Sequence, residues 1–262
     1  FNLERSRIVF SEMLKNKNRR IASDYQMNIV ESSIANGCTP LQLKLMVDCC
    51  MNWRSSDNDI VLYDNSELMA IEYVRSMYKK LGHEKELTLY AMALITLHPY
   101  GITEKELQLL LLKFRPVREM FYAEDRYSYE EDRLPFVIWS RLFYDLKRSL
   151  NISFSNGSMV IKCVHNIFNT AFKKHYADYC NEAYEVITDY YLFSENYTNQ
   201  DKKIANTRKA LSVIPLLVSG NRKQELTRFL SDVYFVDIVV KSGGMDNLIV
   251  HLGELVSADI DI

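Results

Sequence analysis

Ile152-Ser-Phe-Ser155, Asn156-Gly157 and Met159-Val-Ile-Lys-Cys-Val164 decide the fold. Two strand-like runs flank Asn-Gly, and Asn and Gly tolerate the positive φ that a type I′ turn needs, so the stretch predicts a β-hairpin. Outward from it the patterns are helical. Pro135 opens a helix with Phe136, Ile138, Trp139, Leu142, Phe143, Leu146 and Leu150 on one side, after a charged loop over Met120–Arg133. Further back, Thr103 and Glu106 form a capping-box pair that feeds a short helix over Leu107–Leu112. An apolar helix over Leu87–Leu97 ends at Pro99-Tyr100-Gly101. Three helices and then a hairpin is the order of a winged helix.

The N-terminal third reads as short helices. Leu3 to about Leu14 carries Ile8, Val9, Phe10 and Met13, and a basic segment Lys15–Arg20 follows. Ser23 precedes Met27, Ile29, Val30 and Ile34, and Asn36-Gly37 closes that helix. Thr39 and Pro40 then supply an N-cap and a first-turn proline. Ser66 is the expected cap of a helix bearing Leu68, Ile71, Val74, Met77, Tyr78 and Leu81, stopped by Gly82. Beyond the hairpin, helical patterns run over Ile167–Tyr179 and on to Phe193, then over Arg208–Val218, Gln224–Ser231, Val233–Lys241 and Met245–Val256. Short breaks between them read as antiparallel helix pairs opening an α-solenoid.

Composition narrows the function classes. The 262 residues hold 8 Gly and 5 Pro, few for an all-β sandwich or barrel. Lys and Arg total 32 against 34 Asp and Glu, so no general basic field draws nucleic acid or acidic lipid. Five scattered cysteines, Cys49 and Cys50 adjacent, fit reduced thiols in a cytoplasmic compartment. No apolar run approaches the ~20 residues that cross a bilayer. The chain opens at Phe1 without a secretory signal, and the expectation is a piece of a longer protein.

No phosphate loop, G-x-G-x-x-G, H-E-x-x-H or G-x-S-x-G motif is present. Cys163-Val-His165 with distant Cys180 falls short of four convergent zinc ligands, and Glu130-Glu131-Asp132 reads as a solvated loop face. The chain therefore carries no catalytic centre of its own on this reading. In the Pro135–Leu150 helix, Arg141, Lys147 and Arg148 are the cations a DNA-reading helix would use, too small an excess to favour nucleic acid.

Thr39-Pro-Leu-Gln-Leu-Lys-Leu45, Gly101-Ile-Thr-Glu-Lys-Glu-Leu107, Leu134-Pro-Phe-Val-Ile-Trp-Ser-Arg-Leu142 and Val164-His-Asn-Ile-Phe168 occur in the order found in one family. With weaker similarity through Ile214-Pro-Leu-Leu217 and Leu226–Leu230, the chain resembles the regulatory half of NACHT/STAND-type signal-transduction NTPases. The resemblance implies a mainly α chain in three parts. Residues 1–82 would be a small helical domain following a P-loop core, 83–180 a winged helix with a β-hairpin wing, and 181–262 the start of a helical-repeat array.

It further implies a non-catalytic fragment that closes over ADP or ATP, with Mg, held in an upstream core in cis. The chain itself would hold no cofactor. Nucleotide exchange would couple to oligomerisation with other protein subunits, with no membrane and no nucleic acid as partner. Pro40 matches the family's adenine-packing proline, and His165 the histidine that donates to the ADP β-phosphate. A plain helix-start proline and a half-buried hairpin histidine satisfied by backbone are the alternatives. Relatives carry Met-His-Asp where this chain has Val164-His165-Asn166, so Asn166 would cap the following helix without Asp's charge. A winged-helix DNA-binding regulator and a helical interaction scaffold are the competing functions.

Overall fold

Four helices open the chain, three of them started by a side-chain cap; Ser23 before the second makes no cap bond. The computed structural model describes residues 2–122, 133–155, 157–199, 201, 203–246, 248–250 and 253. Helix α1 (Leu3–Lys15) is capped by Asn2, whose side chain accepts from the Arg5 N–H at 3.0 Å. Helix α2 (Asp24–Ile34) follows Ser23, and Gly37 at φ 81° turns the chain into α3 (Pro40–Cys50). Thr39 Oγ1 accepts the Gln42 N–H at 3.1 Å, with Pro40 in the first turn where no N–H is missed. Helix α4 (Ser66–Lys79) is capped by Asn65 rather than by the expected Ser66. Asn65 Oδ1 reaches two orphan donors, Glu67 N at 2.7 Å and Leu68 N at 3.2 Å. That leaves the Ser66 hydroxyl free to bond Thr39 Oγ1 at 3.1 Å. Phe10, Val30, Ile34, Leu43, Met46, Met69 and Val74 are buried in the core of these helices.

The middle of the chain contains α5 (Lys85–Leu97), α6 (Glu104–Leu111), α7 (Arg115–Tyr122), α8 (Phe136–Leu146), a 3₁₀ turn (Lys147–Ser149), β1 (Leu150–Ser155) and β2 (Ser158–Cys163). The strands pair antiparallel from Leu150↔Cys163 to Ser155↔Ser158, with Gly157 at φ 77° between them. Ile102, between α5 and α6, makes an antiparallel bridge to Ile161 through bonds of 2.8 and 3.0 Å.

Three expectations are corrected. Met120–Tyr122 belong to α7, not to a loop, whereas 123–132 and Asn156 lie outside the described residues. Leu150 starts β1 instead of ending α8, because Ser149 Oγ bonds the Leu146 carbonyl at 2.8 Å and the 3₁₀ turn stops the helix. Phe136 is 80% exposed, so Trp139, Leu142 and Leu146 alone make the buried side of α8.

Helix α9 (Asn166–His175) meets α10 (Ala177–Phe193) at Tyr176, which caps the end of one and the start of the other. Its ring packs on Phe172 at 4.7 Å and on Tyr179 at 6.1 Å, and its hydroxyl lies 3.4 Å from Tyr78 Oη. Helices α11 (Thr207–Ser219), α12 (Lys223–Leu230) and α13 (Val233–Lys241) follow. Of the last expected helix, positions 245, 246, 248–250 and 253 are helical and 247, 251, 252 and 254–256 lie outside the described residues. Helix α10 packs along α5, where Tyr90 meets Tyr179 edge-on at 5.0 Å and Tyr179 donates to Glu86 at 3.0 Å. The chain is thus mainly helical, with one two-stranded antiparallel hairpin among the described residues.

Candidate functional site

The bond between Thr39 and Ser66 sets the starts of α3 and α4 side by side. An open groove of about 590 Å³ lies over them, lined by Gly37, Thr39, Gln42, Asp64, Asn65, Ser66 and Glu67. Ile167, in the first turn of α9, supplies the facing apolar wall. Helix starts present N–H groups and a partial positive charge, which suits acceptor groups on a ligand. Asp64 and Glu67 bring the opposite sign, but Glu67 is engaged by Lys174 at 2.8 Å and His175 at 3.0 Å. Those two bonds hold its carboxyl below the usual range.

Pro40 is exposed at the first position of α3, beside Thr39 of the groove. His165 follows β2 after Val164, whose N–H bonds the Ser149 carbonyl at 2.9 Å. The backbone of His165 is extended (φ −126°, ψ 136°), and the residue is itself the N-cap of α9. Its side chain makes no cap bond, is half-buried, and has no hydrogen bond to a described residue. Asn166, expected to cap α9, is instead its first residue, with Oδ1 accepting from Asn169 Nδ2 at 3.2 Å.

The other described histidines are engaged: His83 with Asp145 at 2.7 Å, His98 with Tyr191 at 2.7 Å and His175 with Glu67 at 3.0 Å. On α8, Arg141 donates to the Leu81 carbonyl, and in the 3₁₀ turn after it Arg148 lies 3.9 Å from buried Asp48, which also takes Lys17 at 2.6 Å. Among the described residues no group of three or more His, Cys, Asp or Glu side chains could hold a metal. Nor is any described helix long and apolar enough to cross a membrane.

A second constellation is closed and buried. Glu106 completes the capping box by accepting from Thr103 N and Oγ1, both at 2.9 Å. Its carboxylate also receives Arg208 Nη2 at 2.5 Å, Arg208 Nε at 2.9 Å and the Tyr191 hydroxyl at 2.8 Å. Arg208 donates as well to the Gly101 carbonyl at 2.8 Å. Burial pushes the Glu106 carboxyl up, but the Arg208 hydrogen bond and charge outweigh it, leaving the group below its ordinary value.

His98 Nδ1 accepts the Tyr100 N–H at 3.2 Å, which assigns the proton of the neutral ring to Nε2, facing Tyr191. Burial, then the Arg208 charge 3.0 Å away, lower the His98 pKa to about 3. Gly101 belongs to this joint: at φ 84°, a Cβ there would stand 2.7 Å from Lys162 Cγ and 3.0 Å from the Ile161 carbonyl.

The sequence placed Thr103 and Glu106 together but gave no sign of Arg208, 102 positions away. His98 and Tyr191 carry no spacing that links them. Neither Pro40 nor His165 lines the groove; their neighbours Thr39 and Ile167 do. Compared with protein families, characterised proteins and solved structures, the chain matches none.

Proposed function

We propose that this chain is the regulatory, non-catalytic part of a NACHT/STAND-type NTPase. In this reading residues 1–82 form the small helical domain and 83–180 a winged helix, with β1 and β2 as the wing and Ile102 as its third, one-residue strand. Residues 181–262 begin a helical-repeat array. A P-loop core in the same polypeptide supplies Mg and most contacts to ADP or ATP, and the compartment is cytoplasmic. The observation that carries the reading is the open groove with Thr39 on one side and Ile167 on the other. Pro40 and His165, each a residue or two away, are the positions that the family resemblance assigns to adenine and β-phosphate.

The chemistry of these side chains fits such a ligand. Pro40 offers an exposed rigid ring and no competing donor. His165 offers an imidazole not engaged by a described residue, at a helix start where an anion is favoured. Asp64 is an acceptor for ribose hydroxyls or an adenine amino group. The volume lies within the ~300–1,000 Å³ common for small-molecule sites. Bound ADP would bridge the core to this groove and favour a closed form, and exchange for ATP would remove that differential contact.

In the protein carrying both this chain and its core, His165→Ala is expected to weaken ADP binding by about 1–2 kcal/mol, the worth of one hydrogen bond to a charged group. Oligomerisation should then occur at lower ATP. Calorimetry with ADP and light scattering read the two effects, and unchanged affinity together with unchanged assembly overturns the reading.

A further inference from the structure

At the opposite end of α3 from the groove, the segments around residues 19–22 and 50–55 enclose a cavity of about 360 Å³. Arg19, Arg20 and Arg54 line it with Trp53, Gln26 and Ser55, and no acidic side chain does. Arg19 is held in place: its Nη2 donates to the Met51 carbonyl at 3.0 Å and the Trp53 carbonyl at 2.8 Å. These bonds cover the carbonyl end of α3, which would otherwise repel an anion. Both Nη2 hydrogens are thereby engaged, while Nε and Nη1 have no partner among the described residues. Arg20 and Arg54 are exposed and their side chains have no hydrogen bond or ion pair with a described residue, although the Arg54 charge helps to hold the Asp57 carboxyl below its ordinary value. Asp57, the carboxylate nearest in sequence, is bound to Lys80 at 3.1 Å and to the Arg54 N–H at 3.2 Å.

We propose that this cavity binds a phosphoryl group. In a chain of net charge −2, three arginines line one cavity with no acidic residue among its walls. An oxyanion relieves their mutual repulsion. Guanidinium forks match phosphate geometry, and three of them exceed what the two oxygens of a carboxylate can satisfy. Buried Trp53 forms part of the wall and lowers the local dielectric, which strengthens the attraction. The volume accommodates a phosphate or a pyrophosphate. Its source is either a free small phosphate or a phosphorylated side chain presented by a partner.

Calorimetric titration of the full chain with inorganic pyrophosphate, and separately with N-acetyl-phosphoserine amide, distinguishes the sources by which probe binds more tightly. Acetate at equal ionic strength is the control. Arg20→Ala/Arg54→Ala keeps Arg19 and every backbone bond, and is expected to weaken the preferred probe at least about tenfold. Circular dichroism should show unchanged helix; if the double variant loses it, Arg54→Gln alone must still show the weakening. Equal binding of both probes to wild type and variant overturns the proposal, as does acetate binding as tightly as either probe.

Discussion

Glu106 and Glu67 each sit in the first turn of a helix and each receive cations from a distant helix. Their settings differ. The Glu106 carboxylate is 9% exposed and has all its partners inside the protein, so Arg208 locks α11 to α6 at the foot of the hairpin unit. Glu67 is 25% exposed, and its partner Lys174 is 68% exposed on the outside of α9. Water competes for the second joint and is shut out of the first. Of two bridges with the same chemistry, burial makes one a fixed weld and leaves the other free to exchange partners.

The contrast breaks first at Arg208. Arg208→Ala leaves the Glu106 carboxylate buried without its cation, which is expected to cost about 3 kcal/mol. That lowers Tm by roughly 6–12 °C in a chain of this size. A loss below about 1 kcal/mol in denaturant titration would mean that the joint is no tighter than a surface pair.

Acid sharpens the comparison. The folded His98 pKa lies near 3, below the ordinary 6.5, so the unfolded chain takes up the proton first. The His98 contribution is complete above pH 6.5 and falls as pH drops toward 3, by up to about 1.4 kcal/mol per pH unit. Glu106, also depressed, adds acid sensitivity only below its own ordinary value of 4.5. His98→Gln is therefore expected to flatten the stability profile specifically between pH 6.5 and 4.5. Parallel urea titrations of both proteins check this, and identical slopes refute it. The smallest effect belongs to the exposed bridge: Glu67→Gln should leave Tm unchanged at physiological salt, where exposed pairs are screened.

What the sequence disclosed follows the range of the interaction. Thr39-Pro40, the Thr103/Glu106 box and the paired runs around Asn156-Gly157 are written in residues no more than thirteen positions apart, and local chemistry decides them. Asn65 displaced Ser66 as cap by one position, because a carboxamide oxygen reaches two N–H groups and Ser66 had a better use across the groove. Helix α7 has little local signature: eight residues long, it carries Pro116 in its first turn, where proline is harmless. The Arg208 joint was invisible for a different reason. No local pattern marks which arginine will meet which glutamate once α5, α10 and α11 are stacked. The groove is less legible: Thr39 shows as a helix cap in the sequence, whereas the pairing of the α3 and α4 starts and the approach of Ile167 exist only in three dimensions.

Tyr176 leaves no slack between α9 and α10. With a single residue at the corner, pinned by Phe172, Tyr179 and Tyr78, the two helices behave as a crank with a rigid elbow. Lengthening that elbow by one residue would turn α10 by about 100° and carry every later helix out of phase with the hairpin.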